Sequence, residues 1–467
     1  MSQGQDKNRD NLWKSKALCR GAEIRRLKKR NKELEKSRDL WRRKFQFLCL
    51  QLGKSLLSAE KARGHQYSLG LVLLVIELQK YGTMSLRSCR HCVATMLLAM
   101  NLTGRVPSHN TIRHWACKSG YYRVKTSGQG SGQQILYVDE SIVFGAEKIL
   151  LILGISTQHV PKDRSVNHSD IEVLYVGVSK EWKSESIWTQ IDQIDQIDQI
   201  DQIGQAKEIS YIVSDEGINL RKAYKMGNYV HIEDCTHVLA NHLKHIYQKD
   251  SRFEGFRKLI GQLRITLYLS KEKSPFMPPS MRGKLRFANM FPCIDWAKNC
   301  LDKWATLSPS IQTSLGFLKE HQDFIEELVT IEKAFKLVCA TLKNTGFGQS
   351  QKAEILKIIK DLSVLNALTK NDNILIFVKN IEEYLEKLTL KSQHLGEEYL
   401  LCSSDIIESF FGKFKQKINP NSKSGLSEFI FTIANFTQPY TEKEVKLALE
   451  NVQIADLKNY RNCARPT

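Results

Sequence analysis

A stretch rich in glycine and serine, from Val124 to Gln134, separates two parts of the chain that differ in hydrophobic pattern. Its sequence, VKTSGQGSGQQ, is typical of a linker because glycine and serine leave the backbone flexible. Before the linker, apolar residues recur at helical spacing. After it, runs rich in β-branched residues follow one another closely, which favours an antiparallel three-stranded start to a sheet and one or two later strands. The predicted strands cover residues 135–143, 148–156, 171–179, 208–214 and 229–233.

The length of 467 residues exceeds what one hydrophobic core usually serves, so we expect two to four domains. From residue 235 to 401 the pattern is helical and rich in lysine. The triplet Ile-Asp-Gln repeats over residues 190–203, and because its period differs from 3.6 residues per turn we expect no continuous apolar face from it. The predicted segments are a basic N-terminal coiled-coil helix (1–65), a helix-turn-helix-like domain (66–123), the linker (124–134), a strand-rich part (135–234), a helical insertion (235–401) and C-terminal helices (402–467).

The net charge of +19 predicts a polyanionic partner, because lysine and arginine that neutralise phosphates release condensed counterions. The charge is concentrated in residues 1–63, where 19 Lys and Arg stand against 7 Asp and Glu. In that stretch Leu27, Leu34, Trp41 and Leu48 recur every seven residues, which predicts a short coiled-coil seam. The segment could serve dimerisation and contact with DNA backbone, or it could be a solvated basic helix packed on its own domain.

Residues 66–123 indicate a compact helical unit. An apolar helix over 85–102, a turn over 103–107 and a second helix capped by Ser108 that continues through Trp115 suit a helix-turn-helix reader of DNA. Helical pairs also occur in α-rich proteins with other functions. The residues predicted to contact DNA, here and in the basic segments, are Arg25, Arg26, Lys28, Lys29, Arg30, Arg42, Arg43, Asn110, Arg113, Lys413, Lys415 and Lys417.

The eleven cysteines are scattered, which favours reduced thiols of an intracellular protein over a disulfide framework. Cys89 and Cys92, with His109 and His114 further on, have a spacing like that of a zinc site. We interpret the two thiols as core residues, because they stand one turn apart inside an apolar helix. The chain begins without an apolar leader and has no run long enough to span a bilayer, so we expect a cytoplasmic protein that does not bind membranes.

Three acidic residues stand beside strongly apolar segments. Asp139 lies in YVDE, Asp215 ends IVSD, and Glu408 borders the apolar stripe of a predicted helix over 402–418. Each also has a simple structural alternative. Asp139 or its neighbour Glu140 could end a strand, Asp215 could cap the next helix, and Glu408 could pair with Lys415. The three carboxylates together, on two strands and a helix, indicate a catalytic site more specifically than any one of them does.

Three hard oxygen ligands without a nearby cysteine ligand suit Mg²⁺ or Mn²⁺. Two such ions about 4 Å apart can activate an attacking oxygen and stabilise the leaving oxygen in a phosphoryl displacement. A basic DNA-binding chain that also holds such a carboxylate set has a coherent use for both features.

The segments YVDES, IVSDEG and SSDIIESFFGKFK, in this order, resemble the DDE transposases of insertion sequences. The resemblance covers roughly residues 135–440. It implies an α/β fold with an RNase H-like catalytic core and a large all-α insertion, in which Asp139, Asp215 and Glu408 are the catalytic residues and the metal ligands. It also implies that water first attacks the transposon end and that the freed 3′-hydroxyl then attacks target DNA.

Asp234-Cys235-Thr236-His237 resembles the (Cys/Asp)-x-x-His signature of family branches that carry a helical insertion after the second Asp. By that resemblance Asp234 and His237 are supporting residues, and we add Asp405, one turn before Glu408. The alternative for His237 is a histidine satisfied within its own helix.

The leading hypothesis is therefore a bacterial transposase that acts near the nucleoid, binds double-stranded DNA at transposon ends and target sites, and forms a homodimer or higher oligomer. One alternative is a catalytically inactive or domesticated DNA-binding protein. Another is an RNase H-like nuclease or resolvase without strand transfer.

Overall fold

The computed structural model describes residues 28, 30–40, 42–43, 60–82, 84–99, 105–128, 132–144, 147–196, 209–269, 276–279, 290–369, 372–417 and 428–463. The predicted DNA contacts Arg25, Arg26 and Lys29 lie outside these residues, as do Leu27, Trp41 and Leu48 of the heptad seam and residues 197–203 of the triplet repeat. The described residues between 28 and 43 are helical.

In the described residues, helices come first, five strands with two helices among them come next, and only helices follow. The helices are α1 Leu69–Gly82, α2 Leu86–Ala99, α3 His109–Thr126, α4 Ser184–Gln196, α5 Ile218–Met226, α6 Cys235–Tyr247, α7 Ser251–Leu269, α8 Phe291–Asp302, α9 Pro309–Ser314, α10 Phe317–Glu320, α11 Gln322–Thr345, α12 Gln349–Thr369, α13 Asp372–Leu395, α14 Asp405–Lys417, α15 Glu442–Asn451 and α16 Ile454–Cys463. The strands are β1 Gln134–Phe144, β2 Glu147–Ser156, β3 Glu172–Ser179, β4 Ile209–Ser214 and β5 His231–Glu233. A 3₁₀ helix covers Glu428–Phe436.

The five strands form one mixed sheet in the order β3-β2-β1-β4-β5. β1 pairs antiparallel with β2, and β2 with β3, so the predicted antiparallel three-stranded start is confirmed. β4 runs parallel to β1, and β5 runs parallel to β4. The carboxyl end of β4 therefore lies beside the middle of β1, and Asp215, which directly follows β4, comes next to Asp139.

One face of the sheet packs against α4 and α5. Leu136 and Val138 of β1 join a buried cluster that also contains Ile187 and Ile191 of α4. The triplet repeat takes part in this packing. Its first part is a regular helix, and Ile191 is buried against the sheet while Ile194 packs beside it. The tertiary contact stabilises a helix that the three-residue period alone does not favour.

The chain divides into two compact units. The helical unit contains residues 1–44, 236–341 and 348–390, and the sheet unit contains residues 45–235, 342–347 and 391–467. The helical unit includes most of residues 235–401, the range predicted as an insertion, together with residues 1–44. No division falls at the glycine- and serine-rich stretch, where the sequence suggested a domain boundary.

The reason is that α1, α2 and α3 share a core with the C-terminal helices. Val72 and Trp115 pack in one buried cluster with Val445 and Leu449 of α15. Ser108 caps α3 as predicted, by accepting a hydrogen bond from the Thr111 backbone N–H at 3.1 Å. The helix continues to Thr126, well beyond the predicted end at Trp115.

Gly120 allows the close approach of α3 to the 3₁₀ helix. A Cβ atom at Gly120 would overlap the backbone carbonyl of Phe431, so only glycine fits there without a backbone shift. Asn435 donates a side-chain hydrogen bond to the Ala116 carbonyl at 3.0 Å and secures the same contact. Among the described residues, no helix combines the length and apolar character needed to cross a bilayer.

Candidate active site

Asp139 and Asp215 come from neighbouring parallel strands. Tyr137 lies opposite Val213 in the β1–β4 register, and the two aspartates each follow two residues later. Adjacent strands lie about 5 Å apart, so Asp139 and Asp215 are neighbours across the two strands. Both residues are partly exposed.

The alternation of side chains along β1 decides which face Asp139 occupies. Leu136 and Val138 point to the core under α4 and α5, so Tyr137, Asp139 and Ser141 point to the opposite face. Helix α14 packs on that face of β1. Lys415 of α14 donates a hydrogen bond to the Ser141 hydroxyl at 2.6 Å. The helix that carries Glu408 therefore covers the face on which Asp139 lies.

The surroundings of Asp139 disfavour its charged form. Burial raises the pKa of its carboxyl to about 8, the negative charge of Asp215 adds to this, and the charges of Glu408 and Glu140 contribute further. The Glu140 backbone N–H, which donates to Asp139 Oδ1 at 2.7 Å, opposes the rise in pKa. The carboxylates of Asp215 and Glu408 are thus close enough to act on Asp139.

The two Asp-Glu pairs in the sequence left open which residue of each pair faces the site. Glu140 is engaged elsewhere, since Lys148 of β2 donates to both of its carboxylate oxygens at 3.1 and 3.2 Å.

Asp215 Oδ1 accepts a hydrogen bond from the Gly217 backbone N–H at 3.0 Å, and Gly217 itself is the N-cap of α5. The suggested capping role of Asp215 is therefore taken by Gly217, and Asp215 shapes the turn before the cap.

Asp234 fixes the start of α14. Its buried carboxylate accepts hydrogen bonds from the backbone N–H of Ser404 at 2.7 Å and from the Ser404 hydroxyl at 3.0 Å. The Ser404 carbonyl in turn accepts from the backbone N–H groups of Ile407 and Glu408 in the first turn of α14. Asp234 therefore connects the end of β5 to the helix turn that carries Glu408.

The segment before α14 is joined to the sheet at several more points. The Cys402 carbonyl accepts from the Cys235 backbone N–H at 2.8 Å, and the Leu401 N–H donates to the Tyr211 hydroxyl at 2.9 Å. Leu400 forms a bridge with Phe347. These contacts hold the chain at the sheet edge where it returns from the helical block.

The burial of α14 follows the predicted apolar stripe. Glu408 is exposed beside it. The buried residues of this helix are Ile406, Ile407, Phe410, Phe411 and Phe414.

The other two predicted supporting residues differ in their surroundings. Asp405, exposed at the start of α14, forms an ion pair with Lys343 at 2.6 Å. His237 is half-buried and belongs to the helical unit, whereas Asp234 belongs to the sheet unit. The two ends of the Asp-x-x-His signature therefore fall in different compact units.

The three lysines of α14 point to different sides of the helix. Lys415 lies toward Ser141 and the Phe411 ring. Lys413 and Lys417, one turn apart, both lie over the Phe436 ring, with Nζ 5.8 and 4.4 Å from its centroid. A single basic face formed by all three lysines is thus excluded.

The predicted DNA contacts of the N-terminal region also separate into groups. Asn110 is exposed at the start of α3, but Arg113 forms an ion pair with Glu428 at 2.8 Å. The remaining described residues of this group are helical and exposed, namely Lys28, Arg30, Arg42 and Arg43. Arg113 therefore has an ion-pair partner within the sheet unit, which distinguishes it from the exposed residues of this group.

The donor set of the site suits a hard divalent cation, because it consists of carboxylates and contains no thiol. Within the described part of the chain, however, no three His, Cys, Asp or Glu side chains are gathered as closely as metal binding requires. The predicted zinc alternative also finds no support, since Cys89 is fully buried in α2 and its pKa is raised to about 12 by burial. Cys89 is thus a core thiol, as predicted.

Sequence reasoning missed Lys343 and Ser404. Lys343 ends a helix of the lysine-rich block, where many similar lysines occur, and its pairing with Asp405 spans 62 residues. Ser404 lies inside the predicted helix over 402–418, whereas the observed helix begins at Asp405, and a serine just before an apolar helical run is a recognisable cap signal. Its connection to Asp234 could not be read from either residue.

No protein-family model matches the chain, and no curated protein matches it either. The assignment of the site therefore rests on its own residues.

Proposed function

We propose that this protein is a DNA transposase of the DDE type, with an RNase H-like core formed by the sheet and α14 and with the helical unit as its insertion. The observation that supports the proposal is the placement of three acidic residues on two neighbouring parallel strands and on the helix that packs against the first of them. Asp139 lies within β1, Asp215 directly follows the neighbouring parallel strand β4, and Glu408 lies on the helix that packs on β1. First strand, end of fourth strand and late helix are the placements that the resemblance implies.

The raised pKa of Asp139 supports a cation at this position. A carboxyl held by burial and by two neighbouring acids is costly to ionise without a counter-charge. Asp139, Asp215 and Glu408 would hold Mg²⁺ or Mn²⁺, which would activate the attacking oxygen and stabilise the leaving one. The chain's own residues then position the reactants.

Lys415 lies on the side of α14 that faces β1, since it reaches Ser141, two residues beyond Asp139. In that position its ammonium group can pair with a phosphate of the DNA strand. Asp234 holds the first turn of α14 through Ser404 and so sets the position of Glu408.

The test is a cleavage and joining assay with the full chain, Mg²⁺ and labelled DNA that carries the sequences flanking its gene. We expect nicks at the element ends, and we expect Asp139→Ala, Asp215→Ala and Glu408→Ala each to abolish them. Pre-cleaved ends should be joined to target DNA, which would exclude a nuclease or resolvase. Glu140→Gln is the matched control, because Glu140 pairs with Lys148 and should retain activity.

One observation favours a second candidate, a catalytically inactive DNA-binding protein. In the described ranges the three carboxylates are not gathered closely enough for a metal ion. Specific binding of the element ends without any nick in Mg²⁺ or Mn²⁺ would support this candidate and overturn the enzymatic proposal.

A further inference from the structure

Ser214 and His231 meet behind Asp215, on the sheet face opposite to the one that carries Asp139. Ile212 of β4 belongs to the buried cluster under α4 and α5, and Ser214 follows two residues later on the same side. His231 of β5 lies opposite Ile212 in the strand register, so it shares that side. His231 therefore faces away from the carboxylate of Asp139.

A chain of hydrogen bonds joins His231 to Asp215. The Ser214 hydroxyl donates to the Asp215 carbonyl oxygen at 2.9 Å, and the same hydroxyl lies 2.9 Å from His231 Nε2. A hydroxyl has one proton, and here the carbonyl accepts it, so Nε2 is the donor to Ser214 Oγ. The Ser214 carbonyl oxygen, 3.4 Å from Nε2, is a second acceptor for the same N–H. Burial lowers the pKa of His231, so the ring is neutral at pH 7 and its single proton is on Nε2.

The carbonyl that Ser214 secures belongs to the turn that directs the Asp215 carboxylate. Asp215 Oδ1 accepts from the Gly217 backbone N–H at 3.0 Å, and the Ser214 carbonyl accepts from the Asp234 backbone N–H at 2.9 Å. Ser214 is fully buried, so its hydroxyl has no water to exchange with. Rotation of the peptide after Asp215 would break the hydrogen bond from Ser214.

Neighbouring side chains fix the position of the His231 ring. The ring packs on that of buried Tyr224 in α5, with the two centroids 5.0 Å apart. The His231 backbone carbonyl accepts a hydrogen bond from Lys391 Nζ at 2.6 Å, and Lys391 also pairs with Glu233 at 2.5 Å. The backbone and the ring are thus both held, and Nε2 is presented to Ser214.

We propose that His231 is a positioning residue for Asp215. Its Nε2–H holds the Ser214 hydroxyl in the orientation that secures the Asp215 carbonyl, and the turn after β4 then directs the carboxylate of Asp215. The inference rests on the proposed function for the purpose of that orientation, which is to hold a divalent cation together with Asp139. The assignment of the role to His231 rests on the hydrogen bonds alone.

Two substitutions of His231 separate its hydrogen bond from its bulk. The amide nitrogen of glutamine can take the place of Nε2 and donate to Ser214, whereas the shorter amide of asparagine cannot. Hydrogen exchange of the Gly217 amide, in the full chain without metal or DNA, reports on the turn because this N–H donates to Asp215. Exchange should become about 3- to 10-fold faster in His231→Asn and in Ser214→Ala, as expected for one lost hydrogen bond, and should stay near the wild-type rate in His231→Gln.

The Ile212 amide is the internal control, because it donates to the Val230 carbonyl at 2.9 Å in the same sheet and should keep its exchange rate. His159→Asn, at an exposed position of the sheet unit, is the control variant and should leave Gly217 unchanged. Unchanged Gly217 exchange in His231→Asn would overturn the proposal. Equal acceleration in the Asn and Gln variants, or at Gly217 and Ile212 alike, would also overturn it, because either result would indicate a general loss of stability.

Cleavage of element-end DNA tests the purpose of the orientation. His231→Asn should raise the half-saturating Mg²⁺ concentration about 3- to 10-fold, with DNA affinity unchanged, and His231→Gln should restore the wild-type value. A general folding defect would lower activity without this shift, so an unchanged Mg²⁺ requirement in active protein would overturn the role in cation binding. If the wild type does not cleave, the transposase proposal fails, while Gly217 exchange still decides whether His231 positions Asp215.

Discussion

The Asp234 carboxylate accepts two hydrogen bonds from Ser404, a residue 170 positions further along the chain, at 2.7 and 3.0 Å. Both residues are buried. Between them the chain passes through the entire helical block, so this contact sets the position of α14 against β5. It is a positioning contact, and Glu408 depends on it through the first turn of α14.

Asp234→Ala should lower the free energy of unfolding by about 1–3 kcal/mol, because it leaves the buried Ser404 N–H and hydroxyl without their acceptor. Cleavage should fall further than stability alone explains, since Glu408 is displaced. Ser404→Ala removes only the hydroxyl bond and should cost about 1 kcal/mol or less. Urea unfolding and cleavage rates measure the two effects. Equal effects of both variants would contradict the positioning role.

Asp139→Asn should stabilise the metal-free protein near pH 8. Because the pKa of Asp139 is raised to about 8 in the folded state, folding holds a proton that the unfolded chain releases near pH 4. The stability that the protonated carboxyl contributes is complete below about pH 4 and is lost as the pH rises toward 8. The asparagine variant lacks this loss.

Thermal unfolding in EDTA at several pH values measures the difference. The melting temperatures of wild type and Asp139→Asn should approach each other at acidic pH and separate as the pH rises. Glu140→Gln, next in sequence, should show a smaller pH-dependent gain, because Glu140 supplies only one, and the smallest, of the charges that raise the pKa of Asp139. A constant difference between wild type and Asp139→Asn across the pH range would refute the raised pKa.

Mg²⁺ or Mn²⁺ should raise the melting temperature of the wild type at pH 8. A ligand that binds only the folded state at a hundred times its Kd contributes about 2.7 kcal/mol. Asp139→Asn and Asp215→Asn should lose most of this gain, and Glu140→Gln should keep it. If both aspartate variants respond to the ions as the wild type does, the carboxylates of Asp139 and Asp215 are not the ligands.

Arg113 and Asn110 should behave differently when substituted, although both were predicted to read DNA. Arg113→Ala should lower stability by about 1 kcal/mol, because it breaks the partly buried ion pair with Glu428. Asn110→Ala should leave stability unchanged and weaken DNA binding, since Asn110 is exposed at the start of α3. Fluorescence anisotropy with element-end DNA, beside urea unfolding, separates the two effects, and a reversed result would exclude Asn110 as a DNA contact.

The strands were predictable because runs of apolar, β-branched residues are recognisable in the local sequence. The predicted run at 135–143 became Gln134–Phe144, and the run at 148–156 became Glu147–Ser156. The packing partner of α3 was not predictable, because it lies more than 300 residues away. The sequence pattern of a capped helix with polar residues near its start does not show what the helix packs against. Here α3 packs at Gly120 against a 3₁₀ helix of its own chain, and the same pattern would suit a helix that faces DNA.

The candidate site shows the same limit. Asp139 and Asp215 could be proposed because each ends an apolar run, and Glu408 because it borders an apolar helical stripe. A pocket near these carboxylates, lined by Tyr137, His168 and Lys343, could not be predicted from the sequence. Its lining residues come from three distant segments, and none of them carries a local signal. Local periodicity predicts elements, whereas a cavity depends on how those elements meet.

The chain leaves the sheet after β5 and returns at residues whose backbone atoms are hydrogen-bonded, Cys235 to Cys402 at 2.8 Å. An excursion whose two ends already touch can change length at little entropic cost, since closure depends only weakly on loop size. The helical block could thus be exchanged or extended by evolution, or grafted by engineering, provided that the Phe347–Leu400 bridge and the Lys343–Asp405 pair are kept or replaced. The contacts that close the excursion would then stay the same while the inserted helices differ.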